Sequence, residues 1–346
     1  SIKEVLMYQK TEANNEFAKF IKNNYVEWFK DKSLNKPILS HTLMRNKVFP
    51  VADKNKKTTF LLIDNFRYDQ WLTVRPLLHG VFDVFSEDFY CSILPTATQY
   101  ARNALFAGLT PLAIEKIMPG LWLNDNEEGG KNKYEEEFLK RQLQSLGKNY
   151  KLYFEKLVRS EAGKKLLDNL DKVYNADFSV IVYNFLDILS HARTDTEIIR
   201  ELAEDESAFR SLTRSWFEHS DLWEIMKALS EKGHTVIITS DHGTVQVDNP
   251  VKIIGDRETS TNLRYKTGRN LNYNAKEVFA ITNPEQVALP KSNITSSYVF
   301  ACNNDFLVYP NNYNHYVRYY KNTFQHGGIS MEEMIVPFIV LSPKGV

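Results

Sequence analysis

Aspartate and histidine residues stand where three strongly apolar runs end. Asp64 follows Phe60-Leu61-Leu62-Ile63, Asp187 follows the run from Val180 to Leu186, and Asp241-His242 follows Val236-Ile237-Ile238-Thr239-Ser240. Asp187 and His191 share a face if the chain turns into a helix there, because residues four apart are neighbours on a helix surface. His326 precedes Gly327 and Gly328, which let a backbone fold close to a site. Carboxylate oxygen and imidazole nitrogen are the donors that zinc accepts in a four-coordinate site. Each piece alone has a plainer reading, since an Asp after a strand is commonly a helix cap. Their recurrence at successive strand ends is what points to metal chemistry.

Those donors need elements to hold them. Apolar runs at Thr58 to Ile63, Val84 to Leu94, Tyr150 to Phe154, Phe178 to Phe185, Thr235 to Thr239 and Pro337 to Leu341 read as strands. Amphipathic stretches such as Tyr134 to Leu146 and Ala208 to Lys232 separate them. Strand and helix in alternation predict a mainly parallel sheet covered on both faces, with ligands beyond the carboxyl ends of the strands. Short runs between Asn249 and Tyr309 predict a small subsidiary set of antiparallel strands. At the N-terminus Phe17, Phe20, Ile21, Tyr25, Trp28 and Phe29 recur at helical spacing. The stretch Ser33 to Lys57 breaks that pattern with Pro37, Pro50 and a charged run, and reads as a linker. The division expected is therefore a helical segment and linker over residues 1–56 and a catalytic domain over 57–346.

The chain has 346 residues, enough for one large α/β domain with an appendage. Its 43 basic and 43 acidic residues cancel, so no global field draws it to nucleic acid or an anionic membrane. Cys91 and Cys302 fall in apolar runs and read as buried thiols. No apolar run reaches the ~20 residues needed to span a bilayer, and no leader pattern opens the chain. Cytoplasmic localisation without membrane insertion is the expectation.

Asp64-Asn65-Phe66-Arg67-Tyr68-Asp69, Pro95-Thr96-Ala97-Thr98, Asp187-x-x-x-His191, Asp241-His242-Gly243 and His326-Gly327-Gly328 resemble, in order, the ligand segments of the alkaline phosphatase superfamily. The first segment, with Arg264-Tyr265-Lys266-Thr267-Gly268-Arg269-Asn270-Leu271, is most similar to its PglZ-domain branch, as found in response regulators of the type IX secretion system. The resemblance implies a three-layer α/β/α sandwich. It implies one zinc ion held by Asp64, Thr98, Asp241 and His242 and a second by Asp187, His191 and His326, with manganese also able to accept this donor set. Thr98 would be the nucleophile and phospho-Thr98 the intermediate. Thr96 is the rival within the same turn, and both threonines have the plainer reading of helix caps.

Two divalent ions against three carboxylates leave a local surplus of positive charge, which attracts a phosphate ester despite the neutral chain. Threonine-bearing relatives favour phosphodiesters, so the resemblance implies hydrolysis of a cyclic or linear nucleotide or oligonucleotide phosphodiester, with phosphomonoester hydrolysis second. Ala101 stands where those relatives often carry a phosphate-binding asparagine, and Arg102 and Asn103 follow it. Arg102 has the planar fork of donors for a phosphate clamp; its plainer reading is a solvated residue beside a helix start. Arg67, Asp69, Lys266 and Arg269 are further candidates for a phosphate wall. The competing class is a signalling effector whose metal site is structural and whose surface docks partners. The resemblance puts a receiver domain upstream, absent from this chain. Its partners would be a histidine kinase acting through that receiver, a sigma factor or secretion components, and a second copy in a homodimer.

Overall fold

The computed structural model describes residues 1–30, 35–184, 201–257 and 259–344. The strands are β1 (Thr58–Ile63), β2 (Phe82–Cys91), β3 (Leu152–Leu157), β4 (Phe178–Tyr183), β5 (Thr235–Thr239), β6 (Val245–Gln246), β7 (Asn249–Ile254), β8 (Tyr265–Gly268), β9 (Asn272–Tyr273), β10 (Val278–Ile281), β11 (Ser297–Ala301), β12 (Asp305–Val308), β13 (Phe324–Gln325) and β14 (Ile335–Pro343). Six of them form the central sheet in the order β2-β14-β5-β1-β4-β3. The β1–β4, β1–β5 and β3–β4 pairs are parallel, and β14 alone runs against its neighbours β5 and β2.

The unbroken apolar runs are explained by cover on both faces. Phe60 and Leu62 point into one core with Phe178, Val180, Val182 and Ile237, while Leu61 and Ile63 point into a second with Ile181, Val236 and Ile238. This is the period-two alternation of a pleated strand, with both phases apolar. The first core packs the helices Ile2–Asn24, Thr98–Ala107 and Glu135–Ser145 on the sheet. The second packs Tyr68–Val74, Glu206–His219 and Asp221–Glu231. The result is the α/β/α sandwich expected from the sequence.

Several boundaries differ from the sequence reading. β2 ends at Cys91 rather than Leu94, β3 runs two to three residues later than expected, and β14 extends from Ile335 to Pro343. Ladder pairing with neighbours sets these limits: β14 matches β2 from Cys91 to Phe82. The expected strand end at Phe185 lies outside the described residues. In the subsidiary region β10-β11-β8 are antiparallel as expected, but β12 pairs with β7 in parallel, because the chain crosses through the other three-stranded sheet between them. The stretch read as a linker carries short helical turns at Ser40–Thr42, Met44–Val48 and Phe49–Lys54. Met44, Val48 and Phe49 from these turns, and Leu43 between the first two, are buried in the first core. Pro50 lies in the first turn of its helix, where a missing N–H breaks no bond.

Candidate metal centre

β1 lies between β4 and β5, so the carboxyl ends of these three central strands are adjacent. Asp64 leaves β1 at that rim, and Asn65 takes the left-handed conformation with φ 63°, turning the chain away at once. Asp241 and His242 follow β5 across one intervening serine. Ser240 Oγ accepts from Phe66 N at 2.9 Å and donates to His242 O at 2.9 Å, stitching the two strand ends together. Ser92, just past β2, donates to Asp241 O at 2.7 Å. Asp64, Asp241 and His242 are all buried, and their donor atoms form the one group of three metal-binding side chains found among the described residues.

His242 Nδ1 lies 3.0 Å from Gly243 O. A carbonyl only accepts, so Nδ1 carries a proton, and Nε2 is the ring nitrogen left to face the cluster. Around that nitrogen stand Thr98 Oγ1 at 3.1 Å, Asp241 Oδ2 at 3.6 Å and Asp64 Oδ1 at 3.7 Å. Ligands ~2.0–2.2 Å from a tetrahedral zinc ion are separated by ~3.3–3.6 Å. Asp64, Asp241 and His242 therefore fit one divalent ion in donor type, their ligand atoms lying within 4.8 Å of one another, and the Thr98 hydroxyl stands beside the same nitrogen. His326 stands beside them, its ring stacked on His242 with centroids 4.1 Å apart. Its Nδ1 donates to Thr96 O at 3.0 Å. Asp187 and His191 lie outside the described residues.

Burial would raise the Asp241 carboxyl, but His242 and Arg102 outweigh it and hold the pKa at about 2. Arg102 is itself fully buried rather than solvated. Its Nε donates to Asp241 Oδ2 at 3.0 Å, one terminal nitrogen donates to Asp64 Oδ2, and the other donates to Glu135 Oε1 at 3.4 Å and Asn184 Oδ1 at 3.3 Å. Its donors are directed to carboxylates and an amide of the protein.

The two threonines separate clearly. Thr98 is the first residue of the helix Thr98–Ala107, which has Ala97 as its N-cap and no side-chain capping bond, so neither threonine caps it. Thr96 Oγ1 donates to Gly328 O at 2.8 Å and accepts from Gly327 N at 3.1 Å, tying down the turn after His326. The ribbon β6–β13 and the bond from Thr244 Oγ1 to Gln325 O at 2.9 Å draw that turn against the His242 segment. Glu333 fixes both from behind: its backbone oxygen accepts from Gly243 N at 3.0 Å, and its carboxylate accepts from Gly328 N at 3.1 Å and from the buried Arg264 at 2.7 and 3.0 Å.

Arg67 is buried, paired with Asp69 through two nitrogens and donating to Thr244 O at 3.2 Å. Asp69 also accepts from Arg210 at 3.1 Å, and the two guanidinium groups outweigh its burial and hold it at about 2. Asn103 donates to Lys131 O at 2.9 Å and accepts from Asn132, which also donates to Thr98 O at 3.1 Å. Lys266 is buried over the Tyr309 ring, 4.4 Å from its centroid, and burial lowers its pKa to about 7. Arg269 lies 44 % exposed, 3.7 Å from Asp256. Glu135, Asn184 and Glu333 were not singled out from the sequence. Glu135 opens a run of three glutamates that reads as a solvated first turn, and only packing shows that the first of them is buried.

Residues 43–341 match the family described as the BREX system PglZ alkaline phosphatase-like domain, and residues 1–29 match the PorX response regulator linker domain. No curated protein matches the chain. Similar solved structures include human ectonucleotide pyrophosphatase/phosphodiesterase 5, with 12 % identity, TM-score 0.54, and 84 % of this chain and 88 % of that one covered. The murine protein has the same identity and coverage at TM-score 0.52. Phosphonoacetate hydrolase from Sinorhizobium meliloti 1021, in complex with phosphonoacetate, has 11 % identity and TM-score 0.51 over 82 % of this chain and 89 % of that one. At these identities the likeness is one of fold.

Proposed function

The chain belongs to the PglZ alkaline phosphatase-like family, and from that premise we propose that it is a zinc-dependent phosphodiesterase with Thr98 as nucleophile. The observation that carries the reading is Thr98 Oγ1 3.1 Å from His242 Nε2, inside a cluster whose other two donors are carboxylates spaced for the same ion. Asp64, Thr98, Asp241 and His242 would hold that ion, and His326 would contribute with Asp187 and His191 to a second. When bound, such an ion supplies Lewis acidity toward a phosphoryl oxygen and favours the alkoxide form of a ligated hydroxyl.

The residues of the chain do the rest. The Thr98 hydroxyl stands 3.1 Å from His242 Nε2, and it would have to give up its proton as the oxygen attacks. Oγ1 then bonds to phosphorus as the bond to the departing alcohol oxygen breaks, and water later releases the phosphoryl group from Thr98. Thr98 opens a ten-residue helix, so the transferred anion lies where free backbone N–H groups and the helix dipole favour negative charge. Thr96 keeps its hydroxyl on the Gly327-Gly328 turn, which supports the choice of Thr98.

The substrate class proposed is a cyclic or linear nucleotide or oligonucleotide phosphodiester, with a phosphomonoester as the alternative. The match of residues 1–29 to a response-regulator linker supports a role as the output domain of a two-component system controlling type IX secretion. Two cysteines kept as buried thiols suit the cytoplasm. A docking role is favoured by one observation, the exposed Ile2, Val5, Leu6, Met7 and Tyr8 at the start of the first helix.

Zinc content and turnover of bis(p-nitrophenyl) phosphate are to be measured for wild type, Thr98→Ala and His242→Ala. Bound zinc with activity in the wild type, and a loss of roughly three orders of magnitude or more in Thr98→Ala, is the expected result. A zinc-loaded but inactive wild type would transfer the assignment to the docking role.

A further inference from the structure

We infer that Arg102 is a positioning residue that shapes the first metal site before an ion arrives, and not a clamp on the substrate phosphate. The inference rests on the proposed metal reading and deepens it.

One guanidinium gathers four elements of the rim. Nε reaches Asp241 after β5, one terminal nitrogen reaches Asp64 after β1, and the other reaches Asn184 after β4 and Glu135 at the start of the helix Glu135–Ser145. Arg102 lies one helical turn beyond Thr98 on the same helix, so the fork also relates the nucleophile to the carboxylates. Asp64 offers Oδ2 to Arg102 and Oδ1 toward His242, which leaves the second oxygen facing the cluster. Asp241 Oδ1 accepts from His242 N at 3.0 Å, while Oδ2 takes Arg102 and faces His242 Nε2.

Electrostatics require such a partner. Asp64 and Asp241 are 1 % and 0 % exposed, and two adjacent buried carboxylates repel unless a cation is shared between them. Arg102 is 0 % exposed and held on its far side by Glu135, itself paired with Lys156 at 3.0 Å. The cation is therefore fixed in place and has no solvent-facing donor with which to follow a substrate. A lysine would bring the charge but only one point of attachment, whereas the planar fork sets the angle between two carboxylates.

The two effects of Arg102 on metal affinity have opposite signs. Its charge opposes a divalent ion, and its orientation of the ligands favours one. Partners behind metal ligands typically contribute ~10–100-fold in affinity, and orientation is assigned here as the dominant effect.

The test measures zinc affinity by chelator competition, and turnover as a function of free zinc, for wild type, Arg102→Gln, Arg102→Lys and Glu135→Gln. Circular dichroism of the metal-free proteins checks folding. The expected result is zinc binding ~10–100-fold weaker in both Arg102 variants, with turnover partly restored by excess zinc and KM for the phosphodiester little changed. Glu135→Gln touches no metal ligand, and a smaller loss of affinity is expected from it. It keeps the test decisive if an Arg102 variant does not fold: unchanged affinity in Glu135→Gln would then count against the anchored fork. Wild-type affinity in Arg102→Lys would overturn the fork in favour of charge alone. Unchanged or tighter zinc binding in Arg102→Gln, with raised KM that excess zinc does not correct, would restore the phosphate clamp. A wild type that binds no zinc would remove the metal reading itself, and this inference with it.

Discussion

Gly243→Ala should disturb the centre without removing any functional group. A Cβ at that position would lie 1.8 Å from Glu332 O, 2.9 Å from Glu332 C and 3.2 Å from Arg67 Cγ. The first two are backbone atoms, so no side-chain rotation relieves the overlap. Separating carbon and oxygen to ordinary contact means moving the two chains apart by more than an ångström. That movement breaks the 3.0 Å bond from Gly243 N to Glu333 O and carries His242 with it. Overpacking costs ~1–3 kcal/mol, and a buried backbone pair left unmade adds ~1–3 kcal/mol, so a loss of about 3–5 kcal/mol is expected. With an unfolding entropy of ~2.1 cal/mol/K per residue, this corresponds to a fall in Tm of roughly 4–7 °C. A displacement of about 1 Å at a reacting group costs ~100-fold in rate. Thermal melts of metal-free and zinc-treated protein, with turnover of a chromogenic phosphodiester, read both effects. A variant that melts within a degree of wild type and turns over at its rate would refute the claim that contact between Gly243 and Glu332 positions His242.

Two further perturbations test the surroundings. Glu333→Gln leaves Arg264 buried without its carboxylate, and urea unfolding should show a loss of ~3–5 kcal/mol, much of it recovered in the double variant Arg264→Met/Glu333→Met; a single variant as stable as wild type would remove Glu333 as the anchor of both histidine segments. Lys266 has a folded pKa of about 7, below its ordinary 10.5, so between those values the unfolded chain binds more protons and stability rises with pH. The slope from this group approaches ~1.4 kcal/mol per pH unit. Lys266→Met should be more stable than wild type at pH 7 and should flatten that slope in urea titrations at pH 7, 8 and 9; identical slopes would show that Lys266 is not buried as described.

The sequence determined a good deal of this protein by itself. Unbroken apolar runs with a polar residue at their ends are local signals, so the parallel sheet and the location of Asp64 and Asp241-His242 were legible from spacing alone. The resemblance of the ordered segments added Thr98 and the family. The partners of the charged residues were not legible. Arg102 beside a helix start and Lys266 in a short strand have the local sequence of surface residues, yet both are buried, because strands and helices far apart in the chain close over them. Glu135 among three glutamates is indistinguishable from its neighbours until Arg102 and Lys156 reach it. The choice between Thr96 and Thr98 likewise depends on Gly327, Gly328 and His242, more than a hundred residues away. Chain periodicity encodes which face of an element is buried. Which buried charge meets which other charge is decided only by tertiary packing, since it depends on distances between segments that the local pattern does not carry.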